Sequence, residues 1–175
     1  RQMCIRDRFQ HVYTAHDLHA YAPPSFPYGT PDVHQHGALS VCIYKLLIQR
    51  QDFSKVHFRA IFVFHDSRQW GRDIQYALDL MRSDDGIFGT VLTNEELHKR
   101  SPMPIYFSHG DLRRLVCVAD QVWGNNFAVP RLGQGGFRIA LEALYKVRSK
   151  GTCLYSTSPT MPHLTCLLYT SDAAD

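Results

Sequence analysis

Apolar residues recur along this chain with two different spacings. The most continuous run is "VHFRAIFVF", residues 56–64, whose last five positions are all apolar. An unbroken run of that kind predicts a strand buried on both faces, the type found in parallel or mixed sheets covered by helices. After it, Trp70, Ile74, Leu78 and Met81 recur at helical spacing and predict a helix with one core-facing stripe. Asp66 stands ahead of that helix with Gln69 three residues on, the arrangement of an N-cap in a capping box. The helix is expected to end near Ser83, where "SDDGIFGT" is turn-like, and "NEELHKRSPMP" reads as a charged loop. A second buried strand is expected in "PIYFS", residues 104–108. The last helix should start near Gly136, with Phe137, Leu141, Leu144 and Val147 on one face. Strand, helix, strand, helix in that order predicts an α/β unit.

The stretches between and before these elements are less regular. "FQHVYTAHDL", residues 9–18, has a short strand-like centre and leads into "YAPPSFPYGTPD", where four prolines and a glycine oppose regular structure. "GALSVCIYKLLIQ", residues 37–49, has mixed spacing and reads equally as helix or strand. "HGDLRRLVCVADQVWGNNFAVP", residues 109–130, reads as a long connection with a helical turn.

The two ends change what counts as protein. "RQMCIRDR" back-translates into DNA whose other strand encodes Cys-Leu-Leu-Tyr-Thr-Ser-Asp, the peptide found at residues 166–172. Residues 1–8 and 166–175 therefore read as the translated ends of a transposon-based sequencing adapter and are set aside from fold reasoning. The natural chain is expected to run from about Phe9 to Thr165, open at both ends.

Setting the ends aside removes three basic and three acidic residues, so the formal net charge stays at +3. That balance is too small to argue for nucleic acid. Cys42, Cys117 and Cys153 are scattered with no C-x-x-C pair, which fits reduced thiols in an intracellular compartment. A hydrophobic fraction of 45% suffices for one domain with a real core, and no apolar run approaches a membrane span.

Candidate chemistry gathers at strand ends and at a glycine cluster. Asp66 follows one strand and Ser108 the next, which suggests a phosphotransferase-like pair, but the second carboxylate of an Asp-x-Asp motif is replaced by Arg68. In "RLGQGGFRIALEALYK", residues 131–146, Gly133 and Gly135 resemble a phosphate-binding loop. A dinucleotide fingerprint would need a third glycine where Arg138 stands, and no Gly-Lys-Ser/Thr follows. The reading that survives is a tight turn opening a helix. His16 with His19 and His34 with His36 lack further ligands at metal-site spacing, and Cys117 lies in apolar "LVCVA", where a thiol is usually inert. Arg113 with Arg114, and Arg131 with Arg138, could receive an anion, though solvated charge is the simpler reading.

Three blocks, "FVFHDSRQWGRDIQYALDL", "PIYFSHGDL" and "VPRLGQGGFRIALEALYK", resemble the class IIA haloacid dehalogenase-like hydrolases, and within them the cat-eye-syndrome critical-region subfamily of mitochondrial proteins in its fungal form. "FQHVYTAHDLHAYAPPSFPY" fits the segment that precedes them. The sequence departs from the family at His65 and His109, where Asn is usual, and at Ser67 and Gly110, where Pro is usual. "RRLVCVADQ" looks inserted, and the family pattern is lost from Gly151 onward.

The resemblance implies a mitochondrial protein whose Rossmann-like core carries the catalytic motifs and Mg²⁺ ligands, with a class II cap inserted between the second and third motifs. The three blocks look like that cap. The fold expected is therefore an incomplete α/β cap, a mixed sheet flanked by helices, with the catalytic core missing. Residues 9–55 would enter the cap, 56–150 form it, and 151–165 lead back toward the core. No catalytic or metal-binding residue is carried onto this chain. Ser108, His109 and Asp111 after the second strand, and Arg131, Gly133 and Gly135 at the glycine turn, are the positions implied to face substrate. The intact protein would be a Mg²⁺-dependent phosphatase of a small phosphorylated metabolite, with a homodimer as one arrangement the resemblance allows. Its rival is a non-catalytic binding or scaffold protein.

Overall fold

The computed structural model describes residues 11–28, 51–64, 66–107, 122–124, 126–149 and 165–169. Chain order begins with β1 (His11–Thr14), α1 (Ala15–Tyr21) and 3₁₀ turns at Pro23–Ser25 and Phe53–Lys55. It continues through β2 (Ala60–Val63), α2 (Trp70–Met81), a 3₁₀ turn at Asp84–Gly86, α3 (Asn94–Lys99) and β3 (Ile105–Phe107). The last elements are β4 (Val122–Trp123), β5 (Arg131–Leu132), α4 (Gln134–Arg148) and β6 (Thr165–Tyr169).

Every pairing in the four-stranded sheet is parallel, in the order β1-β6-β2-β3. The mixed sheet expected from the sequence is thus an all-parallel sheet with a separate antiparallel ribbon of β4 and β5. All four residues of β2 are buried, as the continuous apolar run required. Only the second half of "VHFRAIFVF" joins the ladder, however, because His57 bridges Ile87 and the Phe58 amide donates to the Gly86 carbonyl at 2.9 Å. β6 occupies the place between β1 and β2, pairing Thr165–Leu168 with His11–Thr14 and Cys166–Tyr169 with Ala60–Val63. Four of its five residues lie in the stretch read as adapter translation. Ladder bonds run between backbone groups, so a short apolar segment can fill a strand position whatever its origin.

Helix starts follow their caps. Thr14 caps α1, its hydroxyl accepting from the Asp17 amide while the Asp17 carboxylate accepts from Thr14 N–H. Thr93 and Glu96 form the same reciprocal box on α3, so "NEELHK" is a helix rather than the charged loop expected. Asp66 does not cap α2. That helix begins at Trp70 with Gln69 at the N-cap, four residues beyond Asp66. α4 opens two residues earlier than expected, with Gly133 at its N-cap.

The larger core lies between the sheet and the helices, built from Phe53, Phe58, Ile61, Val63, Ile74, Tyr76, Leu80, Phe137, Leu141 and Tyr145 among others, and a smaller buried cluster gathers Ala60, Phe62 and Tyr106. α2 buries Ile74, Leu78 and Met81, with Trp70 partly buried, as its stripe predicts. The face of α4 needs correction. Phe137 and Leu141 are buried, but the row continues through Tyr145 and Ser149, whereas Leu144 is 45% and Val147 76% exposed. Rows at a spacing of four residues keep one side of the helix, and Tyr145 supplies the apolar bulk there.

Exposed carboxylates at the turns are held ionised. Hydrogen bonds from Ser54, then the contact with Lys55 at 3.1 Å, lower the Asp52 carboxyl to about 2. The Arg59 guanidinium and then His57 lower Asp85, and the Thr93 amide and hydroxyl lower Glu96. A carboxyl whose folded value is depressed contributes stability above its ordinary value and loses it as pH falls through the folded value. The thermal midpoint should therefore hold steady above about pH 5 and fall progressively toward pH 2. Asp85→Asn should shrink that fall. A midpoint unchanged between these limits in the unsubstituted chain would contradict the assignment.

Candidate functional site

In an open parallel sheet the strand carboxyl ends face a common edge, where loops and helix N-termini converge. Three described segments meet there. The first is the Thr14–Asp17 cap after β1, and the second is the Ser67–Asp73 stretch that enters α2 after β2. The third is the Arg131–Gln134 turn that opens α4.

A buried polar cluster links the first two. Arg72, 7% exposed, places Nη1 3.3 Å from His16 Nδ1 and donates through Nε to Asp73 Oδ1 at 3.1 Å. The Ser67 hydroxyl donates to the other oxygen of Asp73. An arginine and a carboxylate removed from water together need each other's charge and hydrogen bonds, so this cluster fixes the start of α1 against the start of α2. Nothing local in the sequence announces it, since His16 and Arg72 lie far apart along the chain.

The third segment is fastened by Gln134, which is 2% exposed and donates through Nε2 to the Val63 carbonyl at 2.8 Å, at the last residue of β2. Trp70 meets Phe137 edge-on at 5.6 Å, joining the starts of α2 and α4. Gly133 and Gly135 are buried, so the glycines let the turn close tightly onto β2. Arg131 is exposed, donates to the Val129 carbonyl at 3.1 Å, and lies over the Phe127 ring at 4.6 Å. Arg138, read from the sequence with Arg131 as a possible anion-receiving pair, lies over Phe107 at the end of β3, 5.6 Å from the ring centroid, and pairs with Glu142 at 2.7 Å.

Of the positions implied to face substrate, Arg131, Gly133 and Gly135 thus share one turn at the carboxyl edge, with Arg131 presenting the exposed charge. Ser108, His109 and Asp111 lie outside the described residues, immediately after β3. Behind the edge, Tyr76 is fully buried, its hydroxyl 3.1 Å from His19 Nδ1 and 3.0 Å from Ser25 Oγ. Burial raises its pKa, so the phenol keeps its proton and serves as a structural hydrogen-bonding group. Chemically the edge can bind, orient and shield; among the described residues it carries the paired Arg72–Asp73 cluster and the exposed Arg131.

No protein-family model matches the chain. It is similar to the mitochondrial hydrolase YKR070W of Saccharomyces cerevisiae, 38% identical over 94 residues that make up 54% of this chain and 24% of that protein. It is also similar to a cardiolipin synthase (CMP-forming)/mitochondrial hydrolase fusion protein of Schizosaccharomyces pombe. There the identity is 35% over 104 residues, 59% of this chain and 15% of the relative. The chain therefore spans about a quarter or less of the curated relatives it matches. Both likenesses are to mitochondrial hydrolases, and they support a hydrolase relationship and a mitochondrial location for this chain.

Proposed function

We propose that this chain is the substrate-covering cap of a haloacid dehalogenase-type hydrolase, acting in the intact protein on a small phosphorylated metabolite. The observation that carries the reading is the Gln134 bond to Val63, which brings the start of α4 and the Arg131 turn to the carboxyl edge of the parallel sheet. A cap works by closing over a core, excluding water and meeting the part of the substrate away from the reacting bond. Arg131, with Ser108, His109 and Asp111, would meet that leaving-group side, while the Arg72–Asp73–His16 cluster keeps the edge in shape.

Mg²⁺, which in such a hydrolase neutralises charge on the transferred phosphoryl group, would be held by residues of the core. Among the described residues, no group of three or more His, Cys, Asp or Glu side chains is placed to hold a metal. In this reading the chain's own part is binding, orientation and shielding.

Three measurements test this. The 175-residue chain should not hydrolyse para-nitrophenyl phosphate with or without Mg²⁺, and turnover by the chain alone would overturn the cap reading. The parent transcript upstream of Phe9 should encode Asp-x-Asp after an apolar strand, and the intact protein carrying Arg131→Ala should show a raised KM with kcat little changed. Absence of that Asp pair would move the protein to the non-catalytic binding class.

A further inference from the structure

The antiparallel ribbon of β4 and β5 runs straight into the Arg131 turn, and its register sets Trp123 opposite Arg131 and Val122 opposite Leu132. Residues directly opposite on an antiparallel pair project to the same face with Cβ atoms about 5 Å apart. Trp123 and Arg131 therefore share one face, while Val122 and Leu132 take the other. Phe127, in the connection between the two strands, joins the first face, because the Arg131 guanidinium lies over its ring at 4.6 Å. Arg131 is thus flanked by two rings that remain 46% and 60% exposed. A Cβ added to Gly124, beside Trp123, would meet nothing within 4 Å, so the space next to the indole is open. One exposed aromatic residue is ordinary, but two gathered around an arginine on so short a ribbon mark a binding surface.

The composition of this surface selects its guest. Exposed aromatic pairs take either a cation or a flat conjugated ring, and the fixed charge of Arg131 repels the first. A flat ring gains stacking on indole or phenyl, which a saturated guest does not. Arg131 is held in place through Nε, which donates to the Val129 carbonyl at 3.1 Å. Its terminal N–H groups can then donate to acceptors on the edge of a ring, as arginine does to the edge of a base. The guest that uses all three side chains is a planar heterocycle with edge acceptors, neutral or anionic overall.

We infer that Trp123, Phe127 and Arg131 form a stacking platform for a nucleobase, and that the phosphorylated metabolite of this protein is a nucleoside monophosphate whose base lies on the ribbon. Its role as substrate rests on the cap reading; the binding of the base does not.

The test uses the full chain with AMP as probe. Saturation-transfer NMR should mark the adenine protons more strongly than the ribose protons, and calorimetry should give saturable binding. Trp123→Ala should weaken binding by about tenfold, the usual cost of losing a stacking ring, whereas Trp123→Tyr should keep most of it. Leu132→Ser, on the opposite face of the ribbon, should bind as the unsubstituted chain does. Circular dichroism checks that each variant is folded. Ribose 5-phosphate should not bind measurably. Equal binding of ribose 5-phosphate and AMP would overturn the proposal, because arginine and phosphate alone would then account for it. Absence of saturable AMP binding, or binding indifferent to Trp123→Ala, would overturn it too. If the parent protein lacks Asp-x-Asp while AMP still binds here, the cap reading fails and the platform stands.

Discussion

Gly86→Ala is expected to destabilise the fold by about 3–5 kcal/mol, a large fraction of the stability of an ordinary domain. Gly86 has φ +76°, and a Cβ there would lie 2.0 Å from the Phe58 carbonyl oxygen. Two costs add. A left-handed conformation is unfavourable for a side-chain-bearing residue, and the overlap is with backbone, which cannot swing aside as a side chain would. Relief would require parting Gly86 from Phe58, whose amide donates to the Gly86 carbonyl at 2.9 Å. Phe58 would shift with it, and it is 1% exposed and stacked on Phe53 at 6.1 Å. Gly89→Ala provides the comparison, because Gly89 has φ +89° with nothing within 4 Å of the added Cβ. Its cost should be about 1 kcal/mol, from conformation alone. Thermal melts by circular dichroism should separate the two by roughly 10 °C. Coincident melts would mean that the turn does not press against Phe58.

The second large effect concerns α4. Phe137→Ala should cost about 3–5 kcal/mol in chemical denaturation, whereas Leu144→Ala, measured at low protein concentration, should stay within about 0.5 kcal/mol. Phe137 is 1% exposed and contacts Trp70, so truncation opens a cavity where α2 and α4 meet. Leu144 is 45% exposed and leaves no void. Equal losses at the two positions would put the helix in the orientation expected from the sequence and against the one observed. Under the proposed cap reading, the Phe137 variant of the intact protein should also raise KM, since the Arg131 turn is carried by the start of this helix.

These two helices show what a sequence can reveal. α2 was legible because its apolar residues form one stripe and its other face is polar. α4 was legible as a helix but not in its phase, since apolar residues on two faces let Leu144 and Val147 compete with Tyr145 for the core. α1 and α3, of seven and six residues, are too short for periodicity to register. Their capping boxes, Thr14 with Asp17 and Thr93 with Glu96, were the available signal. Asp66 misled for the converse reason, being a good capping residue set too far ahead of the first helical turn. At the candidate site, the glycine turn was visible as a helix start and the strand ends as likely places for loops to converge by the rule for open parallel sheets. The Arg72–Asp73–His16 cluster was not, because only the tertiary fold brings the start of α1 onto α2.

The place of β6 also governs how the sheet can assemble. β1 has its ladder partner at Thr165–Leu168, at the far end of the chain, and makes no pairing with β2. Among the described residues the two flanks of the sheet meet through β6, so β1 gains its ladder partner across a long sequence separation. Contacts of such long sequence separation charge their loop entropy before any ladder bond forms, which places this sheet among the slow-folding topologies.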